Sequence, residues 1–147
     1  MPEVLIVSDS PKVRAEVASV IFDPSTTIRE LTRGKEVRAA VDESTPDLVV
    51  IDQQIGKMGG MATCMDLRLE ESGGRLPHVP VLLLLDRRAD VFLARRAGAD
   101  GWVVKPLDSI RLGRAIQTLL DGGIFQDDTH RPPTVSPVAS RTADAVG

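Results

Sequence analysis

The chain has 147 residues, a length that suits one domain around one core, and its 42% apolar and 27% charged residues form an ordinary water-soluble balance. The net charge of −3 argues against a general nucleic-acid binder, whose footprint would be basic. One cysteine, Cys64, excludes an internal disulfide. The start lacks a basic, cleavable leader, and the longest apolar run, 79–85, is broken by Pro80 and too short to span a bilayer; together these point to the cytoplasm.

The apolar run "VLIV" at 4–7 has the pattern of a strand buried on both faces. Asp9-Ser10-Pro11 reads as a helix start, with Ser10 as N-cap and Pro11 at the first helical position. That helix is predicted to reach about Phe22, burying Val13, Val17, Val20 and Ile21. Residues 26–31 form a weaker strand, expected at an edge, and 34–44 a helix with Val37, Ala40 and Val41 on one face. A strongly apolar strand at 48–51 precedes a helix over 61–72, which Gly73-Gly74 ends. A third apolar strand at 81–85 is followed by a short helix over 89–97, stopped by Gly98. A short strand at 102–104 leads to the last helix, 108–120, capped by Asp108 and ended by Gly122-Gly123.

Five strand–helix units with short connections imply a doubly wound α/β fold, a five-stranded parallel sheet with helices on both faces. Residues 126–147 break the pattern. Pro132, Pro133 and Pro137 lie there among Thr, Ser, Asp and Ala, without apolar periodicity. The expected organisation is a folded domain over 1–125 and a flexible C-terminal tail over 126–147.

Ligand sites in such sheets lie at the carboxyl ends of the strands. The first strand ends in Ser8-Asp9, the third in Asp52, the fourth in Leu85-Asp86 and the fifth in Lys105-Pro106. Carboxylates that meet there repel unless a cation offsets them. A hard divalent ion with oxygen ligands, Mg²⁺ above all, suits the gap, and the lysine supplies a second positive centre. The combination would attract a phosphoryl group and could leave one carboxylate as nucleophile. Other phosphate chemistries fit worse. The chain has no G-x-x-x-x-G-K-[ST] and no G-x-G-x-x-G, and "SDSPK" lacks the glycine a flavin-phosphate loop would want. No Ser/His/Asp or Cys/His set can be assembled from His78 and His130, so a classical enzyme is not expected.

The pieces "VLIVSDS", "TRGKEV", "PDLVVIDQQIGKMGG", "VPVLLLL" and "RAGADGWVVKPLD" resemble the receiver domain of two-component response regulators over about residues 3–122. The resemblance implies strand order 2-1-3-4-5, with Asp52 as phosphoacceptor. It further implies Asp9 as a direct Mg²⁺ ligand, the backbone carbonyl of Gln54 as another, and Lys105 as the lysine that pairs with the phosphoacceptor. A cis Lys105–Pro106 peptide and an aromatic switch at Trp102 belong to the same pattern. Four positions depart from it. Ser8 stands where the family has the first acid of a pair, and a serine can still hold a metal-bound water. Leu85 replaces a threonine or serine whose hydroxyl bonds the phosphoryl group, so the usual coupling is lost. Asp86 replaces a small residue; a carboxylate there crowds the pocket and repels a dianion. Gly56 replaces a proline and should loosen its loop.

Several of these residues also have plain structural readings. Asp9, Asp52 and Lys105 could be turn or surface residues, though the five-unit context favours the site. "DRRAD" precedes a helix, so Asp86 is expected to serve chiefly as an N-cap. Trp102 divides evenly between core edge and contact surface. Met58, Met61 and Met65 are expected to fill the core, Cys64 to be inert, and both histidines to lie on the surface.

Between Arg87 and Arg114 the chain carries seven basic residues against three acids, Asp90, Asp100 and Asp108. Arg87, Arg88, Arg95, Arg96, Arg111 and Arg114, with Trp102, would form a face around the fourth helix, fifth strand and fifth helix. Its plain reading is a solvated charged face; its sharper reading is a docking face for an acidic protein, the usual partner surface in receivers. The expectation is a stand-alone, atypical receiver that acts through a protein partner or as a homodimer, with Mg²⁺ bound weakly and Asp52 phosphorylation weak or uncoupled from the usual switch. The alternative is a conventional regulator phosphorylated by a histidine kinase at Asp52. A flavodoxin-like small-ligand binder is the remote third.

Overall fold

The computed structural model describes residues 2–56 and 58–127. Its elements alternate as the sequence implies: β1 (Glu3–Val7), α1 (Pro11–Ser19), β2 (Thr27–Leu31), α2 (Val37–Glu43), β3 (Leu48–Asp52), α3 (Gly60–Ser72), β4 (Val81–Leu85), α4 (Val91–Arg96), β5 (Gly101–Val104), α5 (Ser109–Leu120) and β6 (Phe125–Gln126). All strand pairs are parallel, in the order β2-β1-β3-β4-β5-β6. This is a doubly wound, flavodoxin-like arrangement. Single 3₁₀ turns, Gly34–Glu36 and Arg88–Asp90, lead into α2 and α4.

The strands read as unbroken apolar runs because both faces are covered. Leu5, Val7, Val49, Ile51, Leu83, Leu85 and Trp102 pack against Val37 and Val41 of α2, Cys64 and Leu67 of α3, and Ala94 of α4. Their neighbours along the chain, Val4, Ile6, Leu48, Val50, Leu82, Leu84 and Val103, pack against Val17 of α1 and Leu112, Ala115, Ile116 and Leu119 of α5. Period-two alternation thus splits the core into two layers. Cys64 is fully buried, its thiol directed at Ala97 O (3.3 Å), and burial pushes its pKa up to about 11.

Four expectations need correction. First, α1 stops at Ser19, three residues before Phe22, which is 85% exposed. Val20 N–H bonds back to Val17 O, and Asp23 accepts from Ser25 N–H and Oγ in a local turn ahead of β2. Second, the sheet has a sixth strand. Phe125 and Gln126 pair with Gly101 and Trp102, and Asp127 is buried. The reason is the open edge of β5: Asp127 Oδ2 accepts Val104 N–H at 2.9 Å, and Arg111 Nε lies 3.6 Å from Asp127 Oδ1. Ordered packing therefore runs two residues past 125. The rest of the expected tail, 128–147, lies outside the described residues, as does His130. Third, Met65 is 51% exposed on the outer side of α3, whereas Met61 does pack on the core. Fourth, Asp86 does not cap a helix; its role emerges at the site. His78 is a surface residue between Glu71 and Asp100. No helix among the described residues is long and apolar enough to cross a membrane.

Candidate functional site

Asp52 is the last residue of β3 and is 2% exposed. A buried carboxylate requires partners for both oxygens, and both have them. Oδ1 accepts from Lys105 Nζ at 2.6 Å and from Gln54 N–H at 3.2 Å; Oδ2 accepts from Ser8 Oγ at 2.8 Å. Ser8, fully buried at the end of β1, in turn accepts from Ser10 N–H, just ahead of α1. Ser10 caps that helix by accepting from Val13 N–H.

Lys105 follows β5, and its peptide bond to Pro106 is cis. Its backbone N–H bonds Leu85 O, which brings the ends of β4 and β5 level. Its ammonium reaches Asp86 Oδ1 at 2.9 Å as well as Asp52. Burial alone would pull the Lys105 pKa down, but the hydrogen bonds and charges of Asp52 and Asp86 outweigh it and hold the pKa above the ordinary lysine value. Asp86 is therefore a site residue. The residues after it explain why it does not cap: the turn into α4 begins at Arg88 and takes no side-chain cap.

Two residues that sequence reasoning missed tie this corner together. Gln53 Oε1 accepts Asp86 N–H at 2.8 Å, and Gln53 Nε2 donates to Asp90 Oδ2 at 2.9 Å. Asp90 is 4% exposed, and hydrogen bonds from Arg87 and then Gln53 hold its carboxyl below the usual range. The only sequence signal was position, one residue after the strand-end aspartate.

Asp9 is placed differently. It is exposed, and its Oδ2 accepts Gly56 N–H at 3.0 Å. Gly56 has φ +44°, a conformation closed to proline, and it donates a bond that proline could not. The glycine at the family's proline position is thus tied to Asp9 instead of loose. Gly60 opens α3 directly over the site: a Cβ there would meet Asp52 O at 2.5 Å.

The oxygen donors present, the carboxylates of Asp9 and Asp52, the Gln54 carbonyl and the Ser8 hydroxyl, have the chemistry of a hard-ion site. Asp52 is fully engaged within the protein, and Ser8 brings no charge. Among the described residues no group of three His, Cys, Asp or Glu side chains could hold a metal. The set fits Mg²⁺ with few charged ligands.

The two residues expected as switch positions are both internal. Leu85 is fully buried and Trp102 is 3% exposed, with the Arg95 guanidinium 5.3 Å above the indole. Trp102 is thus removed from the expected contact face. Its indole N–H has no acceptor among the described residues. The arginines Arg87, Arg88, Arg95, Arg96 and Arg114 are exposed, and Arg111 is held between Asp108 and Asp127. Those of α4 and those of α5 lie on opposite faces of the sheet. Exposed Phe92, Leu93 and Ile110 stand among them.

Comparison with known proteins agrees with this arrangement. The family model described as response regulator receiver domain matches residues 4–117. The transcriptional regulatory protein TcrA of Mycobacterium tuberculosis is 30% identical over 134 residues, covering 90% of this chain and 49% of that protein. The DNA-binding dual master transcriptional regulator RpaA of Synechocystis is 28% identical over 122 residues, covering 82% of this chain and 49% of that protein. The chain spans about half the length of these relatives. Among solved structures, a LuxR-family two-component response regulator from Aurantimonas superimposes with TM-score 0.72 at 26% identity, over 84% of this chain and 87% of that one. The signal receiver domain of a signal transduction histidine kinase from Syntrophus aciditrophicus gives TM-score 0.71 at 25% identity, over 93% and 98%. The chain belongs to the response regulator receiver domain family.

Proposed function

We propose that this receiver works in phosphorelay signalling mainly by protein–protein interaction, with phosphorylation of Asp52 slow and poorly coupled to the rest of the fold. The observation that carries this reading is the end of β4. Leu85 offers no hydroxyl to a phosphoryl oxygen, and the next residue, Asp86, already occupies the Lys105 ammonium. A ligand shifts a conformational equilibrium only through contacts that differ between the two states. Here the main differential contacts are absent or taken, and Trp102 is already inside. The protein is a signalling module on this reading, not a turnover catalyst.

Receiver domains bind Mg²⁺ at the phosphorylation site. In this chain the carboxylates of Asp9 and Asp52 and the Gln54 carbonyl would hold it, and it would offset charge on the transferred group. A histidine kinase is the donor class. The exposed arginines with Phe92, Leu93 and Ile110 suit an acidic partner with apolar anchors, or a second copy of the chain.

A conventional, efficiently phosphorylated regulator is the second reading, favoured by the buried Asp52 and its 2.6 Å bond from Lys105. Mass measurement after incubation with acetyl phosphate and Mg²⁺ separates the two. Slow, substoichiometric addition that disappears in Asp52→Ala supports the first; rapid, complete labelling supports the second.

A further inference from the structure

We infer that the Asp86 carboxylate is a tethered stand-in for the phosphoryl group, a positioning residue that holds Lys105 until a phosphoryl group on Asp52 displaces it. The inference rests on the reading of Asp52 as phosphoacceptor and names what holds that reaction back.

Lys105 has one positive charge and serves two carboxylates, Asp52 Oδ1 at 2.6 Å and Asp86 Oδ1 at 2.9 Å. The trio is net negative before any phosphoryl group arrives. Each end of the loop after β4 is tied down in this state. Asp86 N–H is bound to Gln53 Oε1, and Asp90 is bound to Gln53 Nε2 and to Arg87. The loop is therefore drawn onto the end of β3 by groups of the chain itself.

The bonding of Asp86 is lopsided. Oδ1 meets the ammonium, but Oδ2 is buried with no hydrogen-bond partner among the described residues. A buried carboxylate oxygen without a donor costs free energy, so the Asp86 arm of the trio is the weaker one. Asp52, with both oxygens satisfied and almost no exposure, is the fixed arm. A group added to Asp52 would bring new anionic oxygens to the same ammonium and would meet the Asp86 charge as it came. In the transfer itself an Asp52 oxygen forms the new O–P bond, the P–O bond to acetate breaks, and acetate leaves with the electron pair. No proton moves, so nothing in the step relieves the repulsion from Asp86. Asp86 must turn outward, which its partial exposure allows.

The test compares the 147-residue chain with Asp86→Asn and Asp86→Ala. Each is incubated with acetyl phosphate and Mg²⁺ and followed by intact mass, with Asp52→Ala as blank. Both variants should label at Asp52 about tenfold faster, the scale of removing one neighbouring like charge. The ¹⁵N signal of the Lys105 ammonium should also move in unlabelled Asp86→Asn, which a merely structural role would not produce. Asp86→Ala serves if Asp86→Asn melts early. Equal labelling of wild type and both variants, with an unmoved Lys105 signal, overturns the inference. Slow labelling in all three does so while leaving slow phosphorylation intact. Rapid labelling of the wild type overturns slow phosphorylation, yet still supports the inference if the variants are faster again.

Discussion

Asp127 accepts the backbone N–H of Val104 at 2.9 Å, so a side chain completes the ladder where the two-residue strand β6 ends. That N–H is buried and has no strand neighbour at this level. Asp127→Ala should therefore cost about 1–3 kcal/mol, the penalty for an orphaned buried donor. Urea melts of the two proteins measure it. Unchanged midpoints would mean water replaces the carboxylate without loss.

Gly60→Ala should be destabilising by about 1–3 kcal/mol, the usual cost of forcing an extra methyl into a packed contact. The obstacle is backbone, Asp52 O and Gln53 Cα, so it cannot swing aside. Amide spectra should show the largest shifts at Asp52 and Gln53. Shifts confined to α3 would show that the helix moves instead of the strand end.

Asp90 links stability to pH. Its carboxyl is held below the ordinary value of 3.8, first by the bond from Arg87 and next by that from Gln53. A carboxylate with a lowered folded-state pKa contributes stability that is complete above the unfolded value and is lost as pH falls through the folded one. Asp90→Asn should therefore lower the urea midpoint at pH 7 and have a smaller effect near pH 3. An equal deficit at both values would assign the loss to packing.

Mg²⁺ should bind weakly and not at all in Asp52→Ala. Two carboxylates are a sparse set for a hard ion, and one of them already bonds a lysine and a serine. Fluorescence of Trp102, the sole tryptophan, with calorimetry as a check, follows the titration. Tight binding that survives the substitution would place the ion elsewhere.

Beryllofluoride should barely change the backbone amide spectrum beyond the pocket, because Leu85 supplies no donor and Trp102 is already buried in the same core layer. Leu85→Thr, combined with Asp86→Ala, should restore part of the response. Large wild-type shifts across α4 and α5 would identify a working switch.

Much of this was legible in the sequence because it rests on local rules. Strands buried on both faces write themselves as runs such as "LVVI", and Gly73, Gly98 and Gly122 follow helices at the places the chain pattern implies. What escaped was long-range and small. β6 is two residues with no period to detect, held by one side chain. Gln53 is a polar residue after a strand, and only the approach of the 86–90 loop gives its amide two partners. Asp90 sits in "RRAD", which reads as solvated surface until Arg87 and Gln53 are seen to enclose it. Asp86 looked like a cap because helix starts favour aspartate, whereas the neighbouring strand end put an ammonium within reach.

The buried state of Cys64 gives the protein a practical advantage. With its thiol at about 11 and no exposure, the native chain offers almost no thiolate to a maleimide or nitroxide reagent at neutral pH. A cysteine introduced at Phe92 on α4 or at Ile110 on α5, both well exposed, would take the label alone. Each label would then report on one flank of the sheet without first removing the natural cysteine, so the two sides of the proposed docking face can be watched separately as a partner arrives.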